Sequence, residues 1–318
     1  MKKGLRYVFA LLAALPLAAA AAYPDRPVRL IVGFPPGGAA DILARIAAQQ
    51  LTDRIGQQVV VDNRGGAGGL IATELAAKAN ADGYTLLFSS IPHVINPHLY
   101  KKVSYDALKD FLPVVQFVAV PLMMASGNAL PVKSVADLIA QAKASPGKIN
   151  YGSGGSGSSS HLAIELFKSM AGVRMEHIPY KGTGPLITDM LGGQIGVTIA
   201  SAVPLSPQVK SGRLRGLAVT STKRSVAFPD IPAIAETVSG YEVINWFGVF
   251  APAGVPRDAV MRLNQALNEG LRNPALVKSL NARAADAIGG SPEDFAHVVR
   301  ADFAKWGQVV KASGARVD

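Results

Sequence analysis

Four junctions in this chain put glycine, serine and threonine where a short apolar run gives way to a helix, and those residue types suit the capture of an anion. The runs and their loops are Val28 to Val32 with FPPGGAAD (Phe34 to Asp41), and Val59 to Val61 with NRGGAGG (Asn63 to Gly69). Further along come Ile149 to Tyr151 with GSGGSGSSSH (Gly152 to His161), and Met175 to Ile178 with PYKGTG (Pro179 to Gly184). The first turn of a helix leaves backbone N–H groups without intrahelical partners, and the helix dipole favours negative charge there. Glycine lets a ligand come close to those groups. A carboxylate or a phosphate fits such a junction.

Enzymatic readings of the same residues find less support in their spacing. Ser153, Ser156 and Ser158 near His161 offer a serine nucleophile, so an exported serine hydrolase is one alternative. None of them stands in a G-x-S-x-G register, and no acid is fixed nearby as an orienter. Gly152, Gly154 and Gly157 match G-x-G-x-x-G after a strand and before a helix. The following strand ends at Pro179-Tyr180-Lys181 without the ribose-binding carboxylate that a dinucleotide fold needs, and Glu176 is a poor substitute. There is no G-x-x-x-x-G-K-[ST] loop. His93, His98, His161, His177 and His297 make no zinc spacing, so neither metal nor cofactor is expected. His161, in the first turn of a helix, is either a ligand donor or a helix-end hydrogen-bonder.

The elements that must position these loops alternate strand and helix through residue 200, an α/β pattern that predicts a mostly parallel sheet. Further strands are expected at Tyr84 to Ser89, Val114 to Val120, Leu122 to Ser126, Gly196 to Ala200, Leu214 to Thr220 and Val243 to Ala251. The helix after the first loop carries Leu43, Ile46, Ala47 and Leu51 on one face, and the helix after the serine loop carries Leu162, Leu166, Phe167 and Met170. Beyond residue 251 the chain turns helical. Asp258 to Leu271 buries Val260, Leu263 and Leu267, and Ser291-Pro292 opens a last helix with Phe295, Val299, Phe303, Trp306 and Val310 on one side.

Lys2, Lys3 and Arg6 precede an apolar stretch from Val8 to Ala22 that is broken by Pro16 and ends in alanines, the pattern of a secretory signal peptide cleaved near Ala22. With no cysteine among 318 residues, a lipidated cysteine, a disulfide and a thiolate metal site are all excluded. The formal net charge of +10 comes from basic residues scattered among acidic ones, which argues against nucleic acid as a partner. A mild positive field draws anionic solutes instead.

Together these segments resemble the periplasmic solute-binding receptors of the tripartite tricarboxylate transporters, the Bug receptors. The resemblance runs through YPDRPVRLIVGFPPGGAAD (Tyr23 to Asp41), GQQVVVDNRGGAGG (Gly56 to Gly69), ADGYTLL (Ala81 to Leu87) and AKASPGKINYGSGGSGSSSHL (Ala142 to Leu162). It continues through IPYKGTGP (Ile178 to Pro185), LRGLAVTS (Leu214 to Ser221), FPDIPAIAE (Phe228 to Glu236) and FGVFAPAGVP (Phe247 to Pro256). Gly33, Gly65 and Ala233 depart from the residues usual in the family, without removing a loop.

The resemblance implies a type II periplasmic binding fold, two lobes closing on a ligand cleft. Residues 1–22 would be the signal peptide, 23–120 with 244–318 one discontinuous lobe, and 121–243 the other. It further implies a monomeric periplasmic receptor, without lipid anchor, that delivers a small carboxylated solute to permease subunits. The solute would be a di- or tricarboxylate, an acidic amino acid or an aromatic acid. One carboxylate would be gripped by backbone amides and bridging waters at Phe34 to Gly38, Gly37 included, with Ala67, Gly68, Gly69, Ser89 and Ser90 completing that wall. Ser153, Ser156, Ser158, His161, Lys181, Thr183 and Ser201 would form the opposite wall. Asp41 either anchors its loop or meets a ligand ammonium, and Lys181 either neutralises a second carboxylate or is solvated. A solute sensor for a signalling partner is a further alternative.

Overall fold

The computed structural model describes residues 23–225 and 228–313, so the expected signal peptide lies outside the described residues. The chain begins with β1 (Val28–Val32), α1 (Ala39–Ile55) and β2 (Val59–Asn63), followed by a 3-10 turn at Ala67–Gly69. Then come α2 (Leu70–Ala77), β3 (Thr85–Ser90), α3 (Pro92–Leu99) and a long strand, β4 (Phe111–Gly127). A second βα run is made by α4 (Val135–Ala144), β5 (Asn150–Ser153), α5 (Ser159–Ala171), β6 (Glu176–Pro179), α6 (Thr183–Leu191), β7 (Val197–Ser201), α7 (Ala202–Lys210) and β8 (Leu214–Val219). The chain crosses back as β9 (Ile244–Pro252) and finishes with α8 (Arg257–Leu271), α9 (Pro274–Asn281), β10 (Asp286–Gly289) and α10 (Pro292–Ser313).

The strands order as β2-β1-β3-β9-β4-β7-β5-β6, with β8 and β10 also paired to β4. β1 is parallel to β2 and β3, and β5 is parallel to β6 and β7. The sheet is nonetheless mixed, contrary to the mostly parallel expectation, because β4 and β9 run against their neighbours as the chain passes between the two halves. Residues 114–126, expected as two strands split at Pro121, form part of one continuous strand. Up to Pro121, which pairs with Ile244, β4 lies along β9; from Leu122 it pairs with β7. A proline cannot donate to a ladder, and here it stands where the ladder changes partner, so no paired donor is lost.

Burial follows the helical stripes read from the sequence. On α1, Leu43, Ala47 and Leu51 are buried with Ile46 packed at their edge, and α8 buries Val260, Leu263 and Leu267 against the same strands. α10 buries Phe295, Val299, Trp306 and Val310, and the Trp246 indole donates to Asp302 on that helix at 2.7 Å. Met170 departs from the expected stripe. It lies 40% exposed in the last turn of α5, just before left-handed Gly172 ends the helix.

Candidate functional site

Four helix N-termini, those of α1, α5, α6 and α7, open on one cavity between the two halves of the sheet. The floor is Ser90 at the end of β3 with Asn245 and Phe247 on β9, where Ser90 and Phe247 are register partners. Gly38, Ala39 and Ala40 at the start of α1 form one wall, and Ser158, Ser159 and Ser160 at the start of α5 face them. Gly182, Thr183 and Ser201 complete the second wall, with Phe34 and Pro35 at the mouth. None of these lining residues is charged. First-turn N–H groups of the helices are therefore the main donors to anything bound there.

The helices do not offer equal numbers of donors. α1 begins after Gly38 with no side-chain cap, leaving the amides of Ala39 and Ala40 open to the cavity. On α5 the Ser158 hydroxyl caps the N–H of His161, so Ser159 and Ser160 supply the open amides. Proline occupies the third position of both α6 (Pro185) and α7 (Pro204), and Ser201 accepts from Val203 at 3.3 Å. Each of these two helices consequently brings fewer donors than α1 or α5. A hydrogen bond to a charged group is worth about 1.5–3 kcal/mol, so the amides of α1 and α5 alone suffice to hold a carboxylate.

Asp41 lies within the first turn of α1 but does not line the cavity. Its carboxylate accepts from the Gly37 N–H at 3.0 Å and pairs with Arg45 at 2.9 Å. Burial pushes its pKa up, but the Arg45 guanidinium, the Gly37 amide and Asn63 outweigh that and hold it below the usual value. It fixes the loop with its charge already neutralised. Asn63 braces the same loop by donating to the Phe34 carbonyl at 2.8 Å. Gly33 packs backbone to backbone on Gly69; a Cβ there would lie 2.8 Å from the Gly69 Cα.

The serine loop is braced differently. The Ser160 hydroxyl accepts from the Gly154 N–H at 2.8 Å and contacts the Ser158 hydroxyl at 2.8 Å. Ser153 is fully buried beneath the loop, its hydroxyl 2.6 Å from His177 Nε2. His177 stacks between Tyr151 and His161, with ring centroids 4.9 and 4.1 Å away. His161 Nδ1 accepts from the Gly157 N–H at 3.2 Å, while its Nε2 faces Glu165 at 4.0 Å. Burial, and for His177 also the neighbouring His161, lowers both imidazole pKa values, that of His177 to about 4. Glu165 is itself tied to Lys168 and to the Tyr151 hydroxyl. The serine–histidine contact thus involves a hydroxyl no substrate can reach, which removes the geometry a hydrolase would need.

Of the residues expected from the sequence, Phe34, Gly38, Ser90, Ser158, Thr183 and Ser201 line the cavity. Ala67, Gly68, Gly69, Ser156 and Lys181 line an adjoining outer chamber of about 860 Å3 with Tyr100 and Tyr180. Gly37, Asp41, Ser89, Ser153 and His161 line neither. The halves touch over the cavity: a Cβ at Gly68 would lie 2.7 Å from the Ser156 carbonyl, and one at Gly182 2.9 Å from Pro35. Asn245 and Phe247 escaped the sequence reading. Their signal was a polar residue within the apolar run INWFGVF.

Two lobes around a site built from helix ends are the arrangement of a solute-binding protein. The family model described as the tripartite tricarboxylate transporter family receptor matches residues 43–315. The chain is 39% identical over 300 residues to Protein BugT of Bordetella pertussis, covering 93% of this chain and 91% of that one. Among solved structures, an R. palustris protein with adipate superposes with a TM-score of 0.90 at 40% identity, covering 93% of this chain and 100% of that one. The periplasmic binding protein BugD gives 0.89 at 33% identity, covering 92% and 99%. MatC from Rhodopseudomonas palustris with bound malate gives 0.86 at 27% identity, covering 91% and 100%. The chain belongs to the tripartite tricarboxylate transporter receptor family, whose members are solute-binding receptors and not enzymes.

Proposed function

We propose that this protein is a periplasmic receptor that closes two lobes on a small carboxylated solute and delivers it to a membrane permease. The observation that carries this reading is the convergence of helix N-termini on a cavity lined by no charged residue. Such a site favours a carboxylate through oriented amides and dipoles. Adipate and malate bound to two relatives support the same ligand class. One lobe would comprise 23–120 and 244–318 and the other 121–243, since β4 changes partner between Pro121 and Leu122. The grip is assigned to Gly38 and the α1 amides, to Ser158 and the α5 amides, and to Ser90, Thr183 and Ser201. Gly68, Ser156 and Lys181 would act at the outer chamber.

Export would follow cleavage near Ala22, the reading given by the basic start, apolar middle and alanine-rich end of the first 22 residues. A thermal-shift screen of the mature protein against mono-, di- and tricarboxylic acids tests the reading, because a ligand of the folded state raises Tm by mass action. At least one acid should raise Tm and its diamide should not. A panel without any stabilising acid overturns the assignment. Loss of uptake of that acid on deleting the gene checks the delivery step.

A further inference from the structure

Asn245 carries a feature that a simple carboxylate does not explain. It stands on β9 in the cavity floor, 2% exposed, and its Nδ2 donates to the Ser159 hydroxyl at 3.3 Å. Its Oδ1 is buried without a partner, and among the described cavity-lining residues no other buried side-chain atom is left so. A buried carbonyl oxygen without a hydrogen-bond donor is costly, and one that faces a binding cavity can be completed by a donor on the ligand. The open amides of α1 and α5 suit an acceptor on the ligand. Oδ1 is itself an acceptor, so it repels a carboxylate oxygen and asks for an O–H or N–H.

We propose that Asn245 is a specificity-determining residue that selects carboxylates bearing a hydroxyl or ammonium group close to the gripped carboxyl, over their unsubstituted parents. This rests on the carboxylate-receptor reading above. The placement follows from the fold: Ser159, which holds the Nδ2 end, is also the first residue of α5, so a carboxylate on the α5 amides brings its α-carbon substituent toward Oδ1. A site that hydrogen-bonds a substituent discriminates strongly against the analogue lacking it, since the protein group is then left unpaired.

Titration calorimetry with matched probes tests this: succinate against its 2-hydroxy and 2-amino derivatives, and adipate against its 2-hydroxy and 2-amino derivatives. The wild type should bind a substituted acid about tenfold more tightly than its parent, the preference expected from one buried hydrogen bond. Asn245→Leu, similar in volume, should abolish that preference, and Asn245→Asp, which keeps an acceptor in place, should retain it while weakening all the acids. Circular dichroism establishes that each variant is folded, and the wild-type preference alone decides the case if Asn245→Leu does not fold. Equal binding of parent and substituted acids by the wild type, or a preference that survives in folded Asn245→Leu, overturns the proposal and leaves the receptor reading intact. Equal weakening of both members of each pair in Asn245→Leu also overturns it, because the amide would then be donating to the carboxylate. Failure of the wild type to bind any of the acids or of the wider carboxylate panel overturns both.

Discussion

The two walls of the cavity present the same groups to a ligand but are held by opposite means. The α1 wall is anchored by charge: Asp41 ties Gly37 and Arg45 together just behind the open amides. The α5 wall is anchored by neutral groups, a chain of hydroxyls and stacked imidazoles running from Ser158 and Ser160 to Ser153, His177 and His161. An anion site tolerates a carboxylate in its frame only if that charge is paired and turned away. The alternative is a frame whose nearest members are neutral, with the paired Glu165 and Lys168 set behind the imidazoles, and the two walls show both solutions.

The sharpest test of the walls' common function is to block each directly. Gly38 has φ −82 and ψ 171, which any residue adopts, and a Cβ there has only ordinary contacts. Gly38→Val should therefore fold normally, fill the cavity and weaken carboxylate binding by about a hundredfold or more, as calorimetry reads it. Gly68→Val acts by another route. Its φ of +61 disfavours a β-branched residue, and the added atoms meet the Ser156 carbonyl, so closure of the halves is impeded. About tenfold weaker binding with a lowered Tm is expected, and undiminished affinity in either folded variant would remove these loops from the grip.

A second pair of substitutions separates the two anchors. Ser158→Ala removes the cap of α5, which typically costs about 1 kcal/mol of stability, and should weaken the ligand severalfold because the α5 amides lose their fixed direction. Asp41→Asn should cost about 1–2 kcal/mol by breaking the Arg45 pair, yet leave affinity within about threefold of the wild type or raise it. Urea unfolding and calorimetry on the same samples give both quantities. Severe loss of binding in Asp41→Asn would mean that this carboxylate faces a cationic part of the ligand.

The smallest expected effect distinguishes the walls by pH. His177 has an ordinary pKa of 6.5 that burial and His161 lower to about 4 in the folded protein. Between those values the unfolded chain takes up a proton that the folded chain refuses, so stability is intact above pH 6.5 and falls as pH drops toward 4. Allowing for partial solvent screening, the loss is roughly 1–2 kcal/mol. His177→Gln should flatten this slope in urea midpoints measured from pH 7 to pH 4. Asp41 acts in the same sense but in a lower window: its pKa is also depressed, so its contribution is complete above the ordinary 3.8 and is lost only in stronger acid. An unchanged slope in His177→Gln would show that the neutral wall is not the acid-sensitive one.

The sequence by itself determined the four junctions, the helical stripes and the sparse charge of the loops. Each depends on residues a few positions apart, through capping, periodicity and the backbone freedom of glycine. Tyr23 to Asp41 and Gly56 to Gly69 could also be read as family segments because their loop chemistry is local. What lay beyond that reading was decided by contacts across long separations. Asn245 and Phe247 enter the floor only because β9 returns antiparallel to β3 and β4 and turns that face toward the cavity. His161 looked equally suited to a ligand or to its own helix end, and His177, sixteen residues on, decided the matter by stacking on it and on Tyr151. Ser156 and Ser158 are equivalent in the sequence, yet one faces the outer chamber and the other caps α5 at the inner cavity. Local rules fix which backbone groups are left without partners; only the packing of distant strands and loops fixes which of those groups share one enclosed space.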